Sequence, residues 1–346
     1  MGVTQKDIAQ RLGISRTQVG AALTDDPEVA PATRQLVLAT AREMGYSAYS
    51  NQSARSLMAQ RYGTRAATGV VGYCGQYNEG PQRYGMHLYW AQLQGGVQEA
   101  IAAAGLATLL LGEDPMTIPL DKMDGLLSCS TPIAVQERLH RNTHWVSLLK
   151  PWPGIPSVLA DDAMGIRLAV RHLVEIGHRR IGYLASDDGA SWHHNSRVTA
   201  YHESLHTAGI EPVLRWVRHL RHPFQPETGY QGVGYVRMNE WLRDDWRELA
   251  LTAMLVQNDQ AAMGCIAALL EAGLRVPDDV SVVGFDGTEA SECCTPRLTT
   301  VEVPLREIGA RGADLLLRLL AGNSVSPEPV VLPVRLVVRE STSNWR

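Results

Sequence analysis

Residues 3–19 read Val3-Thr4-Gln5-Lys6-Asp7-Ile8-Ala9-Gln10-Arg11-Leu12-Gly13-Ile14-Ser15-Arg16-Thr17-Gln18-Val19, and this stretch decides the fold of the N-terminal part of the chain. Thr4 with Asp7 three residues later is a variant of the capping box that begins a helix, and apolar residues then recur at helical spacing. Gly13 can adopt the positive φ that ends a helix sharply, and Ser15 can cap a second helix. Two short helices joined by a tight glycine turn predict a helix-turn-helix, whose second helix enters the major groove of DNA.

A third helix and a short fourth segment follow this motif. Pro31 suits the first position of a helix, because its missing N–H would have no partner there, and Gly45 stops the helix. The predicted buried positions of this helix are Leu36, Val37, Ala41 and Met44. The run Asn51-Gln52-Ser53-Ala54-Arg55-Ser56-Leu57 is compatible with a further short helix that ends in an exposed leucine.

Composition is that of a globular protein with a basic N-terminal part. Apolar residues make up 45% and charged residues 20% of the chain, and no apolar run reaches the roughly 18–20 residues that a membrane span needs. The sequence opens directly on a capped helix, so we expect no signal peptide and a cytoplasmic location. Five cysteines without a Cys-x-x-Cys pair are expected to be reduced thiols. Residues 1–65 carry eight Lys/Arg and five Asp/Glu, against a net charge of −4 for the whole chain. This asymmetry favours a phosphate-facing module on an acidic core.

Beyond a polar linker, short apolar segments alternate with helical ones. The predicted strands are 69–73, 106–111, 125–127, 181–185, 253–256 and 280–285, and the predicted helices are 93–104, 166–176, 197–208 and 261–272. Such alternation implies parallel sheets covered by helices on both faces. The chain is too long for one such sheet, so we expect two α/β lobes with a ligand cleft between them.

Motifs along most of the chain resemble the lactose-repressor (LacI-type) family of bacterial transcription regulators. The N-terminal match covers the helix-turn-helix, the third helix (29–46) and the Ala54-Arg55-Ser56-Leu57 hinge. The core matches, in the family's order, are Asp124-Gly125, Gly177-His178-Arg179-Arg180-Ile181, Asn258-Asp259, Val282-Val283-Gly284-Phe285-Asp286, Leu298-Thr299-Thr300-Val301 and Leu336-Val337-Val338-Arg339-Glu340-Ser341-Thr342.

The resemblance implies a fold and a domain organisation. The fold would be an α helix-turn-helix head plus an α/β two-lobed core like the periplasmic sugar-binding proteins, with parallel sheets and helices on both faces. The head would occupy 1–58, with a hinge helix at 51–58, and the linker 59–67. The core would occupy 68–346, with an N-lobe of about 68–159 and 290–322 and a C-lobe of about 160–289 and 323–342.

The resemblance also implies a homodimeric, allosteric repressor, not an enzyme, that binds double-stranded operator DNA and a small-molecule effector, a sugar or sugar derivative. It implies no cofactor, no metal and no membrane partner. The DNA-contacting residues would be Thr4, Ser15, Arg16, Thr17, Gln18, Thr33, Asn51, Ala54 and Leu57. The effector-contacting residues would be Tyr89, Trp90, Asp161, Arg197, Asn258 and Asp286. Arg16 and Thr17 would read base edges, and Leu57 would insert into the minor groove at the operator centre.

The chain departs from the family's pattern at three places. Gly20-Ala21 stands where the family commonly has Ser-Arg, so one base-reading side chain is missing. Ala30 replaces the usual serine cap of the third helix, and Ser47-Ala48-Tyr49-Ser50 lengthens the connection to the hinge. The operator sequence therefore cannot be carried over from better-known members.

Several residues have alternative interpretations. His202-Glu203-Ser204-Leu205-His206 has the spacing of a zinc-protease motif, so a zinc hydrolase using His202 and His206 is one alternative to a solvated helix face. A sugar-binding protein with a non-functional DNA head is another. Asp286 could be a helix cap, Arg197 could form a salt bridge within its lobe, and Tyr89 and Trp90 could be core residues.

Overall fold

The computed structural model describes residues 3–23, 29–44, 46, 67–75, 87–111, 122–129, 143–186, 192–220 and 229–345. The predicted hinge helix (51–58) lies outside these residues, and so do Asn51, Ala54, Leu57 and positions 59–66 of the predicted linker. The described part before this gap is helical, and the part after it contains two six-stranded sheets.

The N-terminal head consists of helices packed around a small apolar core. They are α1 (Gln5–Leu12), α2 (Arg16–Leu23) and α3 (Pro31–Glu43). Gly13 turns between the first two at a φ of 66°. Ile8, Val19 and Val37, one from each helix, are fully buried against one another. The helices of the predicted helix-turn-helix are therefore present, with the predicted glycine at the turn.

The predicted buried stripe of α3 is wrong at Leu36, which is 55% exposed. Val37, Thr40 and Ala41 are buried instead. Successive helical residues are about 100° apart around the axis. Because Val37 and Ala41 face the other two helices, Leu36 points away from them.

The first sheet contains strands from both ends of the core. They are β1 (Val70–Cys74), β2 (Ala107–Leu110), β3 (Gly125–Ser128), β4 (His144–Leu148), β5 (Ser157–Ala160) and β11 (Val330–Leu332). Their order is β11-β5-β4-β3-β1-β2, and all pairs are parallel. Helices α4 (His87–Ala103) and α11 (Leu305–Leu320) pack together. Their backbones approach closely at Gly96 and Gly309, where any Cβ would collide with the facing helix. We call this sheet and its helices the first lobe.

The second sheet has a similar architecture. Its strands are β6 (Ile181–Ala185), β7 (Val217–His219), β8 (Ala253–Val256), β9 (Ser281–Asp286), β10 (Thr299–Glu302) and β12 (Arg335–Val337). Their order is β12-β10-β9-β8-β6-β7, with β12 antiparallel to β10 and the other pairs parallel. The helices are α5 (Asp162–Glu175), α6 (Trp192–Thr207), α7 (Gly229–Asp244), α8 (Trp246–Leu249), α9 (Asp259–Glu271) and α10 (Glu289–Cys293). Helix α5 packs on α6, and α7 packs on α9. This sheet and these helices form the second lobe.

The chain crosses between the lobes after β5, after β10 and after β11. Two of the predicted lobe boundaries differ from this arrangement. Residues 290–302 lie in the second lobe, not the first, because β10 pairs with β9. Residues 330–332 lie in the first lobe, not the second, because β11 pairs with β5. Strand pairing of this kind joins segments far apart in sequence, so local patterns do not specify it.

The predicted fold class is confirmed: a helical head precedes two parallel-rich sheets with packed helices. None of the helices in the described ranges is long and apolar enough to cross a bilayer.

Candidate functional site

The start of α2 carries the side chains predicted to read bases. Arg16 and Thr17 are exposed there, whereas Val19 is fully buried against the rest of the head. The fold therefore leaves both side chains accessible from outside, as a base-reading role requires. That role stays a prediction.

Thr4, Ser15 and Gln18, which are predicted to contact phosphates, form helix caps. The Thr4 hydroxyl donates to the Asp7 carboxylate at 2.7 Å, and the Asp7 N–H donates to Thr4 Oγ1 at 3.4 Å. The Ser15 N–H donates to Gln18 Oε1 at 3.0 Å, and the Gln18 N–H donates to Ser15 Oγ at 3.1 Å. Thr33 is half-buried in the first turn of α3. The two reciprocal caps fix where α1 and α2 begin, and the phosphate contacts stay predictions.

The predicted effector residues of the core lie where strands end and helices begin. Asp161 directly follows β5, Asn258 follows β8, and Asp286 is the last residue of β9. Arg197 lies on α6, the helix after β6. The carboxyl ends of parallel strands are where open α/β sheets bind ligands.

The Arg197 guanidinium is held by a buried carboxylate. Nε and Nη2 donate to Asp162 Oδ1 at 3.1 and 2.8 Å, and Nη1 donates to the Gln257 carbonyl oxygen at 2.8 Å. The guanidinium carbon also lies 3.6 Å from the centroid of the Phe285 ring. The salt-bridge interpretation of Arg197 is therefore confirmed. It does not exclude a ligand, because two of the five guanidinium N–H groups are not used by these bonds.

Asp286 is in an unusual state for a carboxylate. Its φ is 113°, which side chains rarely adopt, and only 9% of the residue is exposed. Within the described ranges, its carboxylate makes no hydrogen bond, and the cap position of α10 belongs to Thr288. The helix-cap interpretation is therefore wrong. Burial raises the pKa of Asp286 well above its usual value, the negative charge of Asp259 adds to this, and Arg197 opposes it.

Asp161 and Asn258 are used as helix caps. Asp161 Oδ1 accepts the Met164 N–H at 2.7 Å at the start of α5. Asn258 Oδ1 accepts the Ala261 N–H at 2.8 Å at the start of α9. Each cap occupies one side-chain oxygen, so a ligand contact would use the remaining polar groups, and such a contact stays a prediction.

Tyr89 and Trp90 lie at the start of α4 in the first lobe, partly buried against the core. Their rings meet edge to face, with centroids 4.9 Å apart. Burial raises the pKa of the Tyr89 hydroxyl, and the charge of Asp286 raises it further. Contact of Tyr89 and Trp90 with an effector stays a prediction.

Sequence reasoning missed further buried polar residues near these strand ends. Tyr73, in β1, and Cys129, directly after β3, are both buried. Asp162 was missed as the partner of Arg197, although it directly follows Asp161 in the sequence. Asp259 accepts hydrogen bonds from Thr288 and Thr300, and burial raises the pKa of its carboxyl to about 6.

The zinc-protease spacing on α6 gains no structural support. His202 is half-buried and His206 is exposed. Burial lowers the pKa of His202. Among the residues that the structure describes, no group of three His, Cys, Asp or Glu side chains could hold a metal ion.

Comparison with known proteins shows which family of proteins this chain is similar to. A family model described as a periplasmic binding protein-like domain matches residues 170–342. The chain is similar to the HTH-type transcriptional repressor PurR of Erwinia tasmaniensis, with 31% identity over 99% of this chain and 97% of the relative.

Two solved structures resemble the whole chain. A complex of the transcriptional regulator CelR with cellobiose matches with a TM-score of 0.70 and 26% identity, covering 98% of this chain and 99% of that one. A Lac repressor dimer bound to operator and the anti-inducer ONPF matches with a TM-score of 0.66 and 27% identity, covering 99% and 100%. Both similarities extend from the helical head through both lobes.

Proposed function

The chain belongs to the LacI family of bacterial transcription regulators, and we propose that it is a sequence-specific repressor controlled by a sugar or sugar derivative in its cleft. The protein would act in the cytoplasm, where operator DNA is found, as a homodimer. The similar Lac repressor structure is itself a dimer on operator DNA, which supports this assembly.

The proposed effector site is supported chiefly by the burial and the backbone conformation of Asp286. A buried carboxylate without a hydrogen-bond donor costs free energy, and so does a positive φ at a residue other than glycine. Asp286 combines both features. Residues in strained conformations cluster at ligand-binding sites, and a ligand with hydroxyl groups would supply the missing donors to Asp286.

The charges around Asp286 favour a neutral effector. Asp162 already neutralises Arg197, at 2.8 Å. A phosphate placed beside Asp286 would therefore meet a net negative set of described side chains, which is unfavourable at low dielectric. The two free N–H groups of Arg197 and the carboxylate of Asp286 together suit sugar hydroxyls, which both donate and accept. The cellobiose in the similar CelR structure is consistent with this chemistry.

A selection from random duplex DNA tests the proposed function. A two-fold symmetric dimer with one head per half-site should select an inverted repeat, and binding should fall steeply with salt. Binding without any recovered motif, or binding insensitive to salt, would contradict the proposal. It would favour instead the alternative of a sugar-binding protein with a non-functional head.

Arg16→Ala should relax the base preference at one position of each half-site. If the guanidinium pairs with guanine O6 and N7, its loss costs about 1–3 kcal/mol at that position only. Competition binding against operators with single base changes measures this effect. Arg11→Ala removes the same charge from an exposed arginine of α1 that pairs with Glu43, and should leave all preferences intact. Equal weakening of Arg16→Ala on every sequence would identify Arg16 as a phosphate contact.

Leu57→Gly should weaken operator binding and its response to effector, without changing effector affinity in the absence of DNA. The sequence predicts that this leucine inserts into the minor groove from a hinge joining the head to the effector-binding core. Operator titrations with and without effector, together with calorimetry of the free protein, separate the two affinities. An unaltered effector response in the variant would mean that the two sites communicate by another route.

A further inference from the structure

Gly20, which carries no side chain, lies on the same helix as the exposed Arg16. Arg16 and Gly20 are four residues apart, so they lie on the same face of the helix. A Cβ added to Gly20 would lie 3.7 Å from Gln5 Oε1. The space above Gly20 is thus bordered by the carboxamide of Gln5, which comes from the neighbouring helix.

Gln5 differs from the other glutamine near this face. Gln18 Oε1 accepts two hydrogen bonds from Ser15, at 3.0 and 3.1 Å, and is therefore committed to the cap of α2. Gln5 is half-buried at the first position of α1, and no hydrogen bond of its carboxamide is found in the described ranges. Its amide donors and its acceptor are thus available at the edge of the exposed face.

We propose that the Gln5 carboxamide contacts a base edge in the major groove, in the space that Gly20 leaves beside Arg16. This inference rests on the proposed DNA-binding function. A glutamine amide can bond adenine N6 and N7 in a bidentate manner, so the favoured base at this position is adenine. Glycine allows the backbone of α2 to approach DNA closely, which brings a side chain on the adjoining helix within reach.

Lys6, the residue after Gln5, is suited to a different kind of DNA contact. Lys6 is exposed and charged, and it suits a phosphate as a point charge. Gln5 carries no charge, so its contact would add sequence preference without adding to the salt dependence of binding. The two contributions are therefore separable by experiment.

Gln5→Ala in the full-length protein tests the inference on the operator recovered by selection. Competition at fixed salt against single base changes should show preference at one A·T position per half-site reduced about five- to a hundredfold. Preference at other positions and affinity for non-specific DNA should be unchanged. Gln10→Ala, an exposed glutamine of the same helix, should leave every preference as in the wild type.

A second variant tests the same contact in case Gln5→Ala disturbs the folding of the head. Gly20→Leu fills the space that borders the Gln5 amide, so it should remove the same preference in the wild type and have no further effect on it in the Gln5→Ala background. If Gln5→Ala weakened binding equally on all sequences, or kept the base preferences of the wild type, the inference would be overturned. A wild-type protein that selects no operator would instead overturn the proposed function.

Discussion

An Asp286→Asn protein should bind its effector about ten- to a hundredfold more weakly than the wild type, because hydrogen bonds to a charged acceptor contribute about 1.5–3 kcal/mol each. The same protein should be more stable than the wild type at neutral pH. Asparagine keeps the shape of the side chain and removes a buried charge that burial and Asp259 both disfavour. The folded state holds its proton more tightly than the unfolded chain, so this stability advantage should grow as pH rises above about 4 and vanish below it.

A thermal-shift panel of neutral sugars and sugar phosphates identifies a ligand for this test, and calorimetry then compares the proteins. Urea unfolding at several pH values measures the change in stability. Glu289→Gln removes an exposed carboxylate three residues away, and should change neither quantity. Wild-type effector affinity in Asp286→Asn would remove Asp286 from the site, and a sugar phosphate as the strongest ligand would contradict a neutral effector.

Asp162→Ala should lower the free energy of unfolding by about 3–5 kcal/mol, the usual effect of removing one partner of a buried ion pair. The side chains of Asp162 and Arg197 are 2% and 12% exposed. Without the carboxylate, the guanidinium would stay buried against Phe285 without its hydrogen-bonded counter-charge.

Urea unfolding at pH 7 measures this loss. Glu340→Ala breaks the Arg297–Glu340 pair, whose side chains are 59% and 51% exposed. Water already screens that pair, so the free energy of unfolding of this variant should be close to that of the wild type. Similar destabilisation by the two variants would show that the burial of the Arg197–Asp162 pair does not determine its contribution.

The head could be predicted from the sequence because its signals are local. Thr4 and Ser15 bond to residues three positions away and Gly13 to one four positions away, and each takes the predicted cap or turn position. Leu36 was wrongly placed because its burial depends on where the other helices lie, not on the spacing within α3.

The cleft could be predicted only in part. Asp286 and Asn258 could be selected as candidates because they lie at or after the carboxyl ends of predicted strands, where parallel sheets bind ligands. The Arg197–Asp162 pair joins residues 35 positions apart, so no local sequence pattern specifies it. Asp161 and Asn258 illustrate a further ambiguity, because the same residue types serve as helix caps and as ligand contacts.

Operator titration with and without effector shows whether an occupied cleft changes the affinity of the head for DNA. Fluorescence anisotropy of labelled operator should show a change in affinity of about 5- to 150-fold when effector saturates the wild-type cleft, corresponding to a coupling of 1–3 kcal/mol. At the same effector concentration, Asp286→Asn should show a much smaller change while binding operator alone as the wild type does. Identical operator affinity with and without effector, when calorimetry shows the wild-type cleft to be occupied, would mean that the cleft does not control the head.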